Sequence, residues 1–235
     1  MTADIEALNR LAGDAAIDAW LALEGEWVEE PNVRRGGFSG VQRITSSQGT
    51  LLYRKQQLAH IYRSLFHPLG YPTAMRERDA LLDCQRLQVP VPPIRFAACR
   101  KLKNEWQAVL VTEALEGFNS LEQCYLERDE LRWGNALHLR VLHEIGRVLG
   151  RLNAGSRQHG CLYLKHVFIR ISAGLVEVAL IDLEKSRRRL TRQQASRHDL
   201  RQIARRSPWS AEQWQVLLQG YRASFGEGAV VPERA

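Results

Sequence analysis

QHGCLYLKHVFI, residues 158–169, and VALIDLE, residues 178–184, are the two stretches that decide the fold of this 235-residue chain. The first stretch places a histidine, a cysteine and a second histidine in a loop before an apolar run. The second is an apolar strand that ends in Asp182. Because an Ala173-Gly174 turn lies between them, we expect a β-hairpin that brings the loop and Asp182 to one cleft.

This arrangement resembles the catalytic loop and the metal-binding strand end of protein-kinase-like phosphotransferases. The usual pattern there is His-x-Asp-x-x-x-x-Asn, in which the aspartate accepts the proton of the attacking hydroxyl and the asparagine contacts a metal ion. In this sequence His159 keeps the first position, Cys161 replaces the aspartate, and His166 stands at the asparagine position. The pattern therefore predicts a kinase scaffold with an altered base.

Composition and charge narrow the class of protein. The chain is 45% hydrophobic and 25% charged, as in globular proteins, and no apolar run reaches the ~20 residues of a membrane span. The N-terminus lacks a basic-then-apolar leader pattern, so we expect a cytoplasmic protein. The net charge of +7 favours an anionic partner such as a nucleotide, a phosphorylated sugar, nucleic acid or a membrane face. The four cysteines show no paired spacing, which predicts free thiols, three of them in the core.

The order of predicted elements indicates an α+β, protein-kinase-like bilobal fold. Residues 1–30 predict an N-terminal helical extension, with a helix over Ile5–Leu23. Residues 31–113 predict a small β-rich N-lobe with one amphipathic helix over Thr73–Leu87. Residues 114–235 predict a helical C-lobe that carries one β-hairpin.

Further elements follow from the same hydrophobic periodicities and turn residues. We predict strands within 33–44 around a glycine-bearing turn and at 50–56, 94–99 and 107–112, and helices at 121–127, 136–154, 192–206 and 211–225. Glu113–Gly117 is predicted to link the two lobes, since the composition changes there from strand-like to helical.

The predicted N-lobe contains candidates for binding phosphates. Backbone N–H groups at a glycine-bearing strand turn can cradle phosphate oxygens, and Gly36, Gly37 and Gly40 lie in such a segment. The alternative is an ordinary hairpin turn. Lys55 follows on the next strand, where protein kinases place a lysine that a helix glutamate holds toward the donor phosphates, and Glu77 would be that glutamate. The alternative is a surface lysine and a solvated glutamate.

Asp182 and the two loop histidines are candidates for catalytic and metal-binding roles. A carboxylate at a strand end can hold a Mg²⁺ ion that bridges phosphates, although such an aspartate also caps turns and helices. His159 is either a core histidine that holds the loop in shape or a group that titrates near neutrality. His166 either joins the metal site or orients Asp182 or a phosphate, because imidazole is a poorer ligand for Mg²⁺ than oxygen.

Two further features accompany this region. Asp199 could accept hydrogen bonds from backbone N–H groups of the loop, or serve as an ordinary acid near a helix N-terminus. Five basic residues directly follow the metal strand: Lys185, Arg187, Arg188, Arg189 and Arg192. Such a run is normally solvated, but beside a phosphotransfer cleft it could bind an anionic acceptor, a membrane headgroup or nucleic acid.

Together these residues resemble the lipopolysaccharide kinase family, which includes kinases of Kdo and heptose and their InaA-type relatives. The resemblance runs from about residue 34 to residue 225. It implies a protein-kinase-like fold, ATP and Mg²⁺ as cofactors, and a sugar hydroxyl of the lipopolysaccharide core as acceptor. By this resemblance Lys55 would hold the donor phosphates, Glu77 would hold Lys55, and Asp182 would bind metal. Glu113 and Leu115 would present backbone groups to adenine.

Cys161 is the departure from the family pattern. A thiol is no obvious replacement for a carboxylate, because it is mostly protonated at neutral pH and accepts hydrogen bonds poorly. General-base assistance contributes a factor of about 10² to 10⁴ in rate. The substitution therefore predicts a slow kinase or none.

Three hypotheses about function remain open on the sequence. The first is an ATP-dependent kinase of envelope glycan, in peripheral contact with the inner membrane. The second is a pseudokinase with a nucleotide-sensing or scaffolding role in envelope stress. The third is a basic nucleic-acid-binding module, which is less favoured because the sequence has neither interleaved stacking aromatics nor a recognisable binding motif.

Overall fold

The computed structural model describes residues 4–34 and 37–229, and Gly36 lies outside the described residues. The chain divides into two units. One comprises the residues up to Asp79 together with Pro92–Ala114, and the other comprises Ala80–Val91 together with the residues from Leu115 onward.

The first unit is built around an antiparallel sheet. Its elements are α1 (Ile5–Asn9), α2 (Gly13–Ala22), β1 (Glu26–Trp27), β2 (Asn32–Arg34), β3 (Gly37–Thr45), β4 (Leu51–Leu58), β5 (Ile61–Ser64), β6 (His67–Pro72), α3 (Thr73–Arg86, which continues beyond this unit), β7 (Ile94–Leu102) and β8 (Glu105–Glu113). In the described residues six strands form the sheet in the order β1-β3-β4-β8-β7, with β2 paired to β3. Strands β5 and β6 form a separate hairpin.

The core of the first unit lies between this sheet and α2. Alternate residues of β4 and β8 point to one face of the sheet, where Leu52, Val109 and Val111 are buried. Trp20 of α2 is fully buried in the same cluster and stacks on Phe96, with ring centroids 5.6 Å apart. Burial of these large side chains holds α2 against the sheet.

Most of the predicted elements of this unit are confirmed, with three differences. Strand β1 lies within the residues predicted as a helical extension, and it pairs with β3. The helix predicted over Ile5–Leu23 is two helices, because the chain leaves the helical conformation before Gly13, which has a positive φ of 58°. The β5–β6 hairpin was not predicted. Its tip residues Leu65 and Phe66 are 97% and 90% exposed, so no alternation of buried and exposed positions marks the strands.

The second unit is mainly helical. Its elements are β9 (Asn119–Ser120), α4 (Leu121–Leu126), α5 (Asp129–Ala154), β10 (Arg157–Gln158), β11 (Val167–Ser172), β12 (Leu175–Leu180), β13 (Arg187–Arg188), α6 (Arg192–Ala204) and α7 (Ala211–Phe225). Short 3₁₀ turns occupy Leu164–His166 and Leu183–Lys185. Strands β11 and β12 form the predicted hairpin, β9 pairs with β11, and β10 pairs with β13.

Helix α5 carries the apolar stripe of the second unit. Val141, Ile145 and Val148 recur at helical spacing and are fully buried. The predicted helix at 136–154 is confirmed but begins earlier, at Asp129, and contains a break at Gly134, where φ is 71° and ψ is 166°. Helices α6 and α7 are also confirmed, although α6 ends at Ala204.

Two expectations from composition bear on the described residues. All four cysteines are free thiols, as predicted, and Cys84, Cys124 and Cys161 are buried. Within residues 4–34 and 37–229, no helix combines the length and the apolar character that crossing a bilayer requires.

Candidate active site

Lys55 and Glu77 form an ion pair in the first unit. The Nζ atom of Lys55, on β4, lies 2.7 Å from Oε2 of Glu77, on α3. The two side chains are 17% and 12% exposed. A pair so shielded differs from a solvated surface pair, in which water and salt screen the attraction.

Gln57 fixes the position of α3 against β4. Its Oε1 atom accepts hydrogen bonds from the Ala74 N–H at 2.8 Å and from the Thr73 hydroxyl at 3.1 Å. The Ala74 N–H belongs to the first helical turn, whose N–H groups have no partner within the helix. Gln57 lies two residues after Lys55, on the same face of the strand. Glu77 lies one helical turn after Thr73. The hydrogen bonds of Gln57 to the start of α3 therefore bring Glu77 next to Lys55.

The predicted glycines lie at the start of β3. Gly37 begins the strand and Gly40 lies within it. A Cβ atom at Gly40 would stand 2.5 Å from Cζ3 of Trp27 and 3.2 Å from Cβ of Pro31. Gly40 is therefore required for close packing of Trp27, while contact of this segment with phosphate stays a prediction. Gly36 lies outside the described residues.

The two predicted adenine-binding residues have backbone partners of their own. In the first unit, the Glu113 N–H donates to the Pro93 carbonyl at 2.9 Å, and the Glu113 carboxylate pairs with Arg95. In the second unit, the Leu115 carbonyl accepts from the Phe118 N–H at 3.1 Å. Their role toward adenine stays a prediction.

Asp199 anchors the loop of the second unit. It is fully buried in the middle of α6, and its carboxylate accepts hydrogen bonds from the N–H groups of His159 at 2.7 Å and Gly160 at 3.3 Å. The side-chain amide of Asn153 donates to the same carboxylate at 2.9 Å. This confirms the predicted contact between Asp199 and the loop, and its mid-helix position rules out the alternative of a helix N-terminal acid.

His159 lies inside the loop with both ring nitrogens engaged. Its Nε2 atom lies 3.0 Å from the Ile181 carbonyl, which can only accept, so Nε2 carries the proton. Nδ1 is then free to accept from the Cys161 N–H at 3.4 Å. Complete burial lowers the pKa of His159, which favours the neutral ring. This is the geometry of a core histidine that joins the loop to the end of β12.

Cys161, His166 and Asp182 meet where the loop approaches the end of β12. Nδ1 of His166 lies 2.6 Å from the Cys161 carbonyl oxygen, and Nε2 lies 3.2 Å from Oδ2 of Asp182. The Ile181 N–H donates to the His166 carbonyl at 3.1 Å, which fixes the strand end against the loop. Cys161 and His166 are buried, and the Asp182 side chain is 39% exposed. The hairpin thus brings together the residues that the sequence pattern predicted.

Sequence reasoning missed two amide side chains that support the loop. Asn153 is fully buried, and besides binding Asp199 it accepts from the Tyr221 hydroxyl at 3.0 Å. Gln202 of α6 accepts from the Leu162 N–H. An amide at position 153, next to the apolar stripe of α5, was the available signal, because a buried polar group requires partners.

An arginine-lined groove of about 930 Å³ lies beside the loop in the second unit. Its lining includes Arg188, Arg189, Arg197, Arg201, Arg205 and Arg206, and none of its described lining residues is a carboxylate. The Arg206 guanidinium stacks over the Tyr163 ring, 3.7 Å from its centroid. Arg188 and Arg189 of the predicted basic cluster line this groove, and most of its other lining residues lie on and after α6. Binding of an anion by the cluster stays a prediction.

Comparison with solved structures defines the class of protein. The chain resembles the structure titled "WaaP in complex with acyl carrier protein", with a TM-score of 0.71 and 19% identity over 95% of this chain and 88% of that one. It also resembles "Amicoumacin kinase hAmiN in complex with AMP-PNP, Ca2+ and Ami", with a TM-score of 0.56 and 12% identity over 94% and 80% of the two chains. The protein therefore has a protein-kinase-like fold, as predicted.

Sequence comparison then identifies the family. The profile described as "Lipopolysaccharide kinase (Kdo/WaaP) family" matches residues 18–221. The chain is also 37% identical over 205 residues to Protein InaA of Escherichia coli (strain K12), which covers 87% of this chain and 94% of that protein. This chain belongs to the lipopolysaccharide kinase (Kdo/WaaP) family, which confirms the predicted resemblance.

Proposed function

We propose that this protein is an ATP-dependent phosphotransferase whose acceptor is a sugar hydroxyl of the lipopolysaccharide core, on heptose or Kdo. Membership of a kinase family and the protein-kinase-like fold support use of ATP. The observation that carries the proposal is the shielded ion pair between Lys55 and Glu77. In protein kinases such a pair holds a lysine in place for the donor phosphates.

The remaining donor-side roles are proposed from the same comparison. Lys55 contacts the donor phosphates, and Glu77 holds its ammonium group. Backbone N–H groups of Gly36, Gly37 and Gly40 approach the phosphates, and backbone groups of Glu113 and Leu115 contact adenine. Because Gln57 caps α3 next to this pair, the lysine is held in position before the nucleotide arrives.

On the second unit, each loop residue has a distinct proposed role. His159, neutral and buried, positions the loop, and Cys161 occupies the place of the base. Asp182 offers a carboxylate oxygen of the kind that Mg²⁺ prefers, but the nitrogen of His166 and the sulfur of Cys161 do not suit that ion. The three residues together therefore do not fit Mg²⁺, and no step proposed here depends on it.

The acceptor is proposed to be anionic and attached to the membrane. The arginine groove beside the loop suits a phosphorylated glycan, because guanidinium groups bind phosphate through paired hydrogen bonds. Peripheral contact with the inner membrane is proposed through the β5–β6 hairpin, whose tip exposes Leu65 and Phe66.

A pseudokinase is the second candidate function, and Cys161 favours it. The side chain at the position of the base is buried and is not a carboxylate. The proton of an acceptor hydroxyl then has no carboxylate at this position to receive it, and we expect turnover about 10² to 10⁴ times slower than with aspartate. If turnover is absent, the preserved ion pair of Lys55 supports a nucleotide-sensing or scaffolding role.

Labelled ATP, Mg²⁺ and core oligosaccharide containing heptose or Kdo test the proposal. We expect slow transfer by the wild type and transfer about 10² to 10⁴ times faster by Cys161→Asp, since the base is restored. ATP should raise the melting temperature of the wild type, and Lys55→Ala should abolish both transfer and this stabilisation. Lys101→Ala, an exposed lysine on β7, is the matched control and should retain both.

The outcomes separate the two candidate functions. The pseudokinase would replace the kinase proposal if two results are found together. ATP would stabilise the protein in a way that depends on Lys55, and neither the wild type nor Cys161→Asp would transfer phosphate. Absence of any effect of ATP would exclude both.

A further inference from the structure

Cys161, His166 and Asp182 bring three different donor atoms together. A thiol sulfur, an imidazole nitrogen and a carboxylate oxygen all lie within 4.8 Å of one another. Cys161 and His166 are buried, whereas the Asp182 side chain is 39% exposed. The cluster is therefore enclosed on the loop side and reachable by a small ion from the side of Asp182.

The two ring nitrogens of His166 each face an acceptor. Nδ1 faces the Cys161 carbonyl at 2.6 Å, and a carbonyl only accepts, so Nδ1 carries a proton. In the neutral ring, Nε2 then presents a lone pair to Oδ2 of Asp182 at 3.2 Å. Two acceptors at that distance repel each other unless a proton or a metal ion lies between them.

The environment of His166 is also that of a metal ligand. Metal-binding histidines almost always donate their second ring N–H to a carbonyl or carboxylate, which fixes the ring and directs the other nitrogen at the ion. Here that carbonyl belongs to Cys161, which is itself one of the three donors. The bond therefore fixes the His166 ring relative to the backbone of Cys161.

The donor set selects the class of ion. Sulfur, nitrogen and oxygen donors together suit Zn²⁺ and similar divalent transition metals, whereas Mg²⁺ requires oxygen. Donors around a tetrahedral Zn²⁺ lie about 3.5 Å apart. Since the three donor atoms all lie within 4.8 Å of one another, only a small contraction is needed on binding. Three protein ligands leave a fourth position for water or another small ligand.

We propose that this protein binds one Zn²⁺ ion, or a divalent transition metal of the same class, through Sγ of Cys161, Nε2 of His166 and a carboxylate oxygen of Asp182. The Cys161 thiol loses its proton to solvent as the sulfur–metal bond forms, and the proton held between His166 and Asp182 is released as the nitrogen–metal bond forms. The site stands independently of the proposed function, since it requires neither nucleotide nor phosphate transfer.

Metal titration of the full chain, stripped with chelator and kept reduced, tests this site. We expect one Zn²⁺ per chain in competition with a chromophoric chelator, and a thiolate-to-metal absorption band in the near ultraviolet when Co²⁺ replaces Zn²⁺. Cys161→Ser should lose the band and bind Zn²⁺ at least about 100-fold more weakly. Removing the hydrogen-bond partner of a ligand weakens metal binding about 10- to 100-fold, and removing the ligand itself should weaken it more.

Controls keep the result specific to this cluster. Cys99→Ser removes a partly exposed thiol outside the cluster and should leave both readouts unchanged. His166→Gln serves as a second variant if Cys161→Ser unfolds, and it should weaken Zn²⁺ binding similarly. Failure of the wild type to show the band, or an unchanged band in Cys161→Ser, would overturn the proposal. A shared proton would then explain the short distance between His166 and Asp182. The assay contains no nucleotide, so its outcome does not depend on the kinase proposal.

Discussion

Asp83 is a buried carboxylate that joins distant segments of the second unit. It accepts hydrogen bonds from Arg157 and from Nε and Nη2 of Arg188, the last two at 2.9 and 2.8 Å. The side chains of Asp83 and Arg157 are 9% and 7% exposed. Burial acts to raise the pKa of Asp83, but the hydrogen bonds and positive charges of Arg188 and Arg157 outweigh it, and the pKa is lowered.

We predict that Asp83→Asn lowers the free energy of unfolding at pH 7 by about 3 kcal/mol, because Arg157 would remain buried without its counter-charge. A carboxyl whose pKa is lowered by folding stabilises the protein above its unfolded-state pKa of about 3.9, and this contribution is lost as the pH falls toward the folded-state value. The difference in stability between wild type and variant should therefore shrink as the pH falls from 7 to about 3. Urea unfolding across this range measures the effect.

Glu144→Gln is the matched control for this prediction. Glu144 also faces two arginines, Arg147 at 3.0 Å and Arg151 at 3.5 Å, but its side chain is 20% exposed and that of Arg147 is 47% exposed. We expect a loss of no more than about 1 kcal/mol. An equal loss in the two variants, or a difference between Asp83→Asn and wild type that does not vary with pH, would contradict the assigned role of Asp83.

Helices α5 and α7 pack closely because glycines line their contact. A Cβ atom at Gly146 would overlap the Leu217 carbonyl and stand 2.7 Å from the Tyr221 nitrogen. A Cβ atom at Gly220, on the opposite helix, would overlap the His143 carbonyl. Gly150 lies one turn after Gly146 on the same face and meets α7 in the same way. The backbones themselves form this part of the core.

We predict that Gly146→Ala lowers the free energy of unfolding by about 1 to 3 kcal/mol, as overpacked cores do. In an isolated helix, alanine is more favourable than glycine by about 1 kcal/mol, so helix propensity alone would make Gly146→Ala more stable. A loss of stability would therefore come from the contact with α7. Asn135→Ala, at an exposed position on the same helix, should change stability by no more than about 0.5 kcal/mol. Urea unfolding compares the two variants. A Gly146→Ala protein that is more stable than the wild type would contradict the prediction, because it would show that α5 and α7 can move apart without a loss of stability.

The proposed membrane contact depends on properties of the whole molecule, namely its charge and its exposed apolar surface. The formal net charge is +7. Leu65 and Phe66, at the tip of the β5–β6 hairpin, and Leu69, on β6, are 97%, 90% and 87% exposed. Tyr62 and Arg63 precede this tip on β5. Apolar residues flanked by aromatic and basic ones are typical of segments that enter the interface of a membrane.

We predict that the protein sediments with vesicles containing anionic lipid. Replacing both Leu65 and Phe66 by serine should weaken this association at least tenfold, because their burial in the bilayer is lost. Raising the salt concentration from 0.1 to 1 M should weaken the electrostatic part, since the Debye length falls from about 10 to about 3 Å. Leu190→Ser, a leucine that is 94% exposed outside the hairpin, is the matched control. Equal binding by the hairpin variant and the control would exclude the hairpin as the contact.

The sequence predicted elements well where hydrophobic periodicity is strong, and poorly where it is absent. The stripe of α5 and the apolar run of β12 predicted a buried helix and a strand, and both are confirmed. The β5–β6 hairpin was missed because its tip is apolar and exposed, so its pattern resembles neither a buried strand nor a polar loop. In the loop, His159 and Asp182 were identified by spacing, whereas Asn153 was not, since its partners lie far along the chain.

By itself the sequence determined the family, the kinase-like order of elements, and the departure at Cys161. These depend on residue types at fixed spacing along one segment, which local backbone geometry translates directly into loop, strand and turn. Only the tertiary structure decided which side chains share a contact: Gln57 as the cap that sets Glu77 beside Lys55, Asp199 as the anchor of the loop, and the grouping of Cys161 with His166 and Asp182. Such contacts join residues remote in sequence, and their partners are chosen by packing of the whole unit, which no local pattern encodes.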